Sequence, residues 1–175
     1  MPVKEILQLG HPTLRARCAK VKRFGTMNLI VLVKDLRDTL YDFRTRSGFG
    51  RGIAAPQIGV KVRAVFVHVD EPIALFNPVI VKRSPKLMEL WDDCFSFPNL
   101  LVKVKRNTSI EVHYQNIEGE RRVLKVAGSM SELLQHEVDH LNGVLAIDRA
   151  IDSKHIVLRS EYERWLKGKK QGVNV

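Results

Sequence analysis

The residues able to do chemistry are concentrated in Gln135-His136-Glu137-Val138-Asp139-His140-Leu141. Two histidines four apart lie one above the other on a single helical face. From that face both imidazoles can bind one metal ion, and Glu137, about 100° round the helix, can reach a water on that ion. The competing reading is a pair of ordinary amphipathic histidines, so the pattern needs a third ligand. Catalytic zinc-type sites use three protein ligands and keep one position open. A continuation to a third histidine beyond Gly143 fails, because Ala146 stands there. A downstream carboxylate is offered by Glu161 or Glu163, on a charged stretch that reads as solvated surface. An upstream thiolate is offered by Cys94, between two aspartates and two aromatics. A free cysteine is more often a core residue, and spacing alone does not choose among these sources.

The elements around the motif follow from local patterns. Ser129-Met130-Ser131-Glu132 forms a capping box ahead of Leu133 and Leu134, predicting a helix to Asn142 that Gly143 ends. Thr26 caps a long helix whose apolar stripe is Leu29, Val33, Leu36, Leu40 and Phe43, ending near Arg46 to Gly48. After it, Gly48 to Gln57 carries glycines at alternate positions, which let another chain approach closely. Gln57 adds a neutral donor and acceptor. No Gly-Lys-Ser/Thr follows, so this is not a phosphate loop.

Residues 3–9 read as a strand or extended arm, and Pro12 to Cys18 as a short helix. Strands are expected at 62–69, buried on both faces, at 73–76 stopped by Asn77-Pro78, at 79–81, 100–104 and 144–147. A hairpin joins 109–114 to 121–126 through Asn116-Ile117-Glu118-Gly119. A C-terminal basic helix is expected at about 153–168.

Length and composition bound the class. The 175 residues suit one domain, taken as 1–175, and no repeat or linker divides them. No apolar run approaches the 18 residues or so of a membrane span, and no secretory signal pattern is present. Two cysteines are too few for a disulfide framework and fit a reducing compartment. The net charge of +10 attracts polyanions without sequence preference, with one dense basic patch at Lys167, Lys169 and Lys170.

Three stretches together resemble the peptide deformylase family, whose motifs are Gly-Φ-Gly-Φ-Ala-Ala-x-Gln, Glu-Gly-Cys-Leu-Ser and Gln-His-Glu-x-Asp-His-Leu. Here they read Gly50-Arg51-Gly52-Ile53-Ala54-Ala55-Pro56-Gln57, then Asp92-Asp93-Cys94-Phe95-Ser96, then Gln135 through Leu141. The opening Ile6-Leu7-Gln8-Leu9, with Pro12, Leu14 and Arg15, is also similar to the family's start. The resemblance implies an α+β fold, with mixed or antiparallel sheets wrapped around the motif helix. It implies a cytoplasmic, metal-dependent hydrolase that removes the formyl group from N-formylmethionyl nascent peptides.

Carried over residue by residue, Cys94, His136 and His140 would hold the ion. Fe(II) is the first expectation, with Zn, Ni or Co as alternatives. Glu137 would move the proton, and Gln57 with the backbone N–H of Phe95 would stabilise the oxyanion. Gly50, Arg51, Gly52, Asp93, Glu132 and Leu133 would meet substrate, and Asp139 would orient a partner. Asp92, where the family has glutamate, could still pair with Arg106.

Three departures bear on what the site accepts. Arg51 replaces an apolar residue, Asp93 replaces a glycine, and Glu132 stands where apolar or basic residues are usual. A relative with altered acyl or peptide preference is therefore the second expectation. A weakly active ribosome-associated protein and a zinc endopeptidase using Glu161 are the remaining ones. Contact with ribosomes would be electrostatic; no membrane and no sequence-specific nucleic acid is expected.

Overall fold

The computed structural model describes residues 3–170, with backbone only at 168–170. Its strands form two antiparallel sheets. The larger holds β1 (Gly52–Ala54), β2 (Ala64–His68), β3 (Pro72–Arg83), β6 (Ser109–Gln115) and β7 (Arg121–Ala127), in the order β1-β2-β3-β6-β7. The smaller holds β4 (Leu87–Asp92), β5 (Leu100–Asn107) and β8 (Ile156–Leu158), with β5 central. The helix α2 (Gly128–Leu141) carries the His-Glu-x-x-His pattern and packs against β1, β3 and β7 of one sheet and β5 of the other. Every residue from Ser131 to Leu141 is buried. The α+β architecture is the expected one.

The long helix α1 (Met27–Ser47) forms as its pattern predicts. Thr26 accepts the Leu29 N–H, and Gly48 ends the helix in the left-handed region at φ 76°. Leu29, Leu32, Leu36, Leu40 and Phe43 are buried against β1 and β2, with Leu32 joining the stripe and Val33 at its edge. The buried run of β2 also matches its pattern.

Other boundaries differ from the sequence reading for identifiable reasons. The short helix is a single 3-10 turn, Pro12–Arg15, after which Ala16 is extended. Asn77-Pro78 does not stop β3. Asn77 takes φ 51° and its side chain bonds both backbone groups of Val21 and the Gln115 amide, so a bulge absorbs the break. β4 was not anticipated.

The capping box on α2 does not form. The helix starts at Gly128, so Ala127 rather than Ser129 occupies the cap, without a side-chain bond, and Glu132 turns to Arg51. Residues 144–147 are not a strand: Asp148 accepts the Leu145 N–H and starts a 3-10 turn, Ala146–Arg149. The expected helix over 153–168 begins later. Ser153–His155 is a 3-10 turn and β8 pairs with β5 before α3 (Arg159–Lys170) starts. Of the basic patch, the side chains of Lys169 and Lys170 lie outside the described residues.

Gly143 fixes how α2 ends. Its φ is +74°, and a Cβ there would collide with the Arg15 carbonyl. Gly143→Ala should lower stability by about 3 kcal/mol, read as a shifted urea midpoint at unchanged slope.

Candidate metal centre

α2 presents His136 and His140 on one buried face, and the segment joining β4 to β5 brings Cys94 against them. Cys94 Sγ lies 3.3 Å from His140 Nε2, and His140 Nε2 lies 3.1 Å from His136 Nε2. Two nitrogen ligands at about 2.0–2.1 Å from a tetrahedral ion stand roughly 3.3–3.4 Å apart, so these atoms fit around one divalent ion. One sulfur with two imidazoles is also a donor set suited to such ions. Each of the three residues is buried.

His136 is aimed by its other nitrogen. Nδ1 lies 2.9 Å from Asp92 Oδ1, which leaves Nε2 facing the cluster. Asp92 is anchored in turn by Arg106 at 3.0 Å, and Arg106 also donates to Asp139 at 2.5 Å. Arg149 closes the network from the surface, 2.9 Å from Asp139. Asp139 thus acts on the arginine that holds Asp92, and Asp92 pairs with Arg106 as expected. Burial pushes the Asp92 carboxyl up, but facing His136 and Arg106 outweigh it and bring it down to about 2. Burial opposes charge on His136, yet Asp92 and Cys94 raise it well above an ordinary histidine. Burial and the neighbouring His136 drive His140 well below.

A second group, Asp92, Glu132 and His136, also brings ligand atoms within 4.8 Å of one another. Its charges are already answered: Asp92 faces His136 and Arg106, and Glu132 pairs with Arg51. Neither Glu161 nor Glu163 on α3 enters either group among the described residues.

Glu137 lies beside the cluster with its Oε2 buried and unpartnered. Burial lifts its carboxyl to about 7, with Asp92 and Glu132 adding to the rise and His136 opposing it. Gly52 makes room for it, since a Cβ there would sit 2.8 Å from Glu137 Oε1. Gln57 accepts the Ala54 N–H at 2.9 Å, which turns its amide N–H groups toward Cys94 Sγ, 3.6 Å away, and Ser96 Oγ, 3.3 Å away. Phe95 stacks on Phe43 at 3.9 Å and fills the space beside Gly50.

These groups line a cleft of about 520 Å³. Of the candidate residues carried over from the family, it brings together all but His140 and Asp139, and neither Glu161 nor Glu163 lines it. Asp93 does not present a free charge: Arg159, from the start of α3, binds it at 2.8 Å and lies over the Phe49 ring. Arg51 and Glu132 are likewise paired, at 2.6 Å. Sequence reasoning missed Arg44, whose guanidinium ties Gly50 O and His68 O together at 2.8 and 2.7 Å. Only its place in the last turn of α1 was readable.

A family model described as polypeptide deformylase matches residues 3–155. The chain belongs to that family. A peptide deformylase of Desulfitobacterium hafniense is 38% identical over 152 residues, covering 86% of this chain and 96% of the relative. One of Thermotoga maritima is 37% identical over 153 residues, covering 87% and 90%. The crystal structure of peptide deformylase from Thermotoga maritima superposes with a TM-score of 0.81 at 35% identity, covering 87% of this chain and 100% of that one. The structure of a peptide deformylase from Legionella pneumophila gives 0.81 at 32% identity, covering 97% and 96%.

A carboxyl raised in the fold costs stability once it must ionise. For Glu137 the penalty is absent below its unfolded value of 4.5 and complete above about 7. Metal-free Glu137→Gln should therefore be more stable than metal-free wild type at pH 8.5, by on the order of 3 kcal/mol. The gain should vanish near pH 4. Denaturant titrations at the two pH values check it.

Proposed function

We propose that this chain hydrolyses the N-terminal formyl group of formylated peptides, formylmethionyl nascent chains being the substrate its family membership implies. The observation that carries the reading is the buried Cys94, His136 and His140 triad with Glu137 and Gln57 converging on it. The donor set suits Fe(II), Zn, Ni or Co alike, and the likeness to the deformylase family puts Fe(II) first. A divalent ion in that triad supplies a water of lowered pKa and polarises the formyl oxygen.

The chain's own residues handle the rest. Asp92 keeps His136 in the tautomer that offers Nε2. Glu137 takes the proton from the attacking water and returns it to the leaving amine. The Gln57 Nε2 group and the Phe95 N–H donate to the oxygen that becomes negative. The glycines at 50 and 52 let the peptide backbone lie along the free edge of β1.

None of the described helices is long and apolar enough to cross a membrane. The nascent-chain substrate supports a cytoplasmic setting. The +10 charge supports weak electrostatic contact with ribosomes, which added salt should abolish.

Formate release from formyl-Met-Ala-Ser by anaerobically prepared, Fe- or Ni-loaded protein tests the reading. Glu137→Ala should lower the rate by about 10²- to 10⁴-fold, and Gln57→Leu by about 10²- to 10³-fold. Wild-type release no greater than that of Glu137→Ala rejects the function. Cys94→Ser should strip most of the bound metal while Cys18→Ser retains it, as metal analysis after dialysis would read. Equal metal in both would reject the ligand set.

A further inference from the structure

A carboxylate stands in the cleft wall beside a metal ligand, and its counter-charge comes from outside the stretch that the family model matches. Asp93 lines the cleft, immediately before Cys94, where the family has glycine. Its side chain is 37% exposed, and among the described residues only Arg159 bonds its carboxylate, through Nη2 at 2.8 Å. Arg159 lies beyond residue 155, where that match ends. We propose that Arg159 sets the charge selectivity of the site: by cancelling Asp93 it lets the cleft take formylated peptides with acidic residues after the first, which the bare carboxylate would disfavour. The proposal rests on the deformylase reading above and extends it to the peptide beyond its first residue.

The fold places Arg159 for this. β8 pairs with β5 so that Leu158 stands opposite Leu100. The next residue, Arg159, therefore begins α3 against the segment leading into β5, where its backbone N–H donates to Asn99 O at 2.8 Å. Its Nε donates to Pro98 O at 2.9 Å, and its guanidinium carbon lies 4.4 Å from the centroid of the Phe49 ring. Phe49 lines the cleft as well. A guanidinium held by hydrogen bonds and by a ring face keeps its charge in one place.

Other charges of the wall are answered close by, Arg51 by Glu132, and Asp92 by His136 and Arg106. Without Arg159, Asp93 adds one negative charge to that wall. The reacting formyl group lies at the Cys94, His136 and His140 cluster, so the peptide leaves it along the cleft that Asp93 and Phe49 line. An extended chain advances about 3.3 Å per residue. A charge on the second residue thus stays within the roughly 8–10 Å over which charges act at ordinary ionic strength. An uncancelled Asp93 would repel an acidic peptide and attract a basic one, whichever way that side chain points.

The test compares formyl-Met-X-Ala amides, with X as Glu, Gln or Lys, on metal-loaded protein at low salt. Glu and Gln match in size and differ in charge. The ratio of two substrates on one preparation is independent of its active fraction. Relative to wild type, Arg159→Met should lower the Glu-to-Gln ratio of kcat/KM at least about threefold and raise the Lys-to-Gln ratio. Arg159→Lys keeps the charge and should restore both ratios. Asp93→Asn leaves Arg159 unanswered and should shift both the opposite way, and Asp93→Asn/Arg159→Met should return them to the wild-type values. Added salt should shrink every shift. An equal loss on all three substrates in Arg159→Met overturns the proposal and leaves Arg159 as a tie between α3 and the cleft wall. A shift that persists in the double variant, or that salt does not weaken, overturns it too. Should Arg159→Met fail to fold, Asp93→Asn decides by the sign of its shift.

No formate release from any of the three above the Glu137→Ala background rejects the deformylase reading instead. The ratios are then taken from calorimetric affinities of the same peptides for the same metal-loaded proteins. Unshifted ratios there, or no binding of any peptide, overturn the proposal.

Discussion

Burial of α2 on every side is the constraint from which the rest of the structure follows. A helix between two sheets has no solvent to satisfy its polar side chains, yet this one carries Glu132, Gln135, His136, Glu137, Asp139 and His140 into the interior. Buried polar groups need partners, and buried charges need opposite charges. Each neighbouring element supplies one. Asn107 on β5 takes Gln135, Arg106 on the same strand takes Asp139 and Asp92, and Arg51 ahead of β1 takes Glu132.

What remains unpartnered marks the chemistry. Among the described buried side chains, Glu137 Oε2 and His140 Nδ1 lack a hydrogen bond, as does Arg106 Nε. Asp92 takes a single bond from Arg106 Nη2, and the Arg106 Nε is left unpaired. Glu137 also lines the cleft, where its carboxyl can meet a water. The network holding His136 is otherwise closed and rigid, so the imidazole is aimed before any ligand arrives, which is the arrangement that pre-organised catalysis needs.

The departures from the family pattern are not independent. Arg51 and Glu132 neutralise one another, and Asp93 is neutralised by Arg159, which ties the start of α3 to the cleft wall. As single substitutions each would place an unpaired charge in a partly dry cleft. As pairs they leave the wall without added net charge. The same pairing explains why the capping box at Ser129 to Glu132 does not form: Arg51 is a stronger partner for Glu132 than a backbone N–H near the helix start.

The sequence alone determined the chemistry-bearing helix, the long α1 with both its caps, the buried strand β2 and the family's three motifs. These signals are local, in residue spacing, capping chemistry and β-branched runs, and local signals survive without tertiary context. It left Cys94 and Glu161 as rival ligands, because the distance along a chain does not fix the distance in space. Only the tertiary structure brought Cys94 to 3.3 Å from His140 and left Glu161 outside the ligand clusters. Only it carried β3 through Asn77-Pro78, where bonds to Val21 and Gln115 hold a left-handed asparagine. Arg44, Arg159 and the Arg51–Glu132 pair were likewise invisible, because long side chains choose partners by three-dimensional proximity and charge.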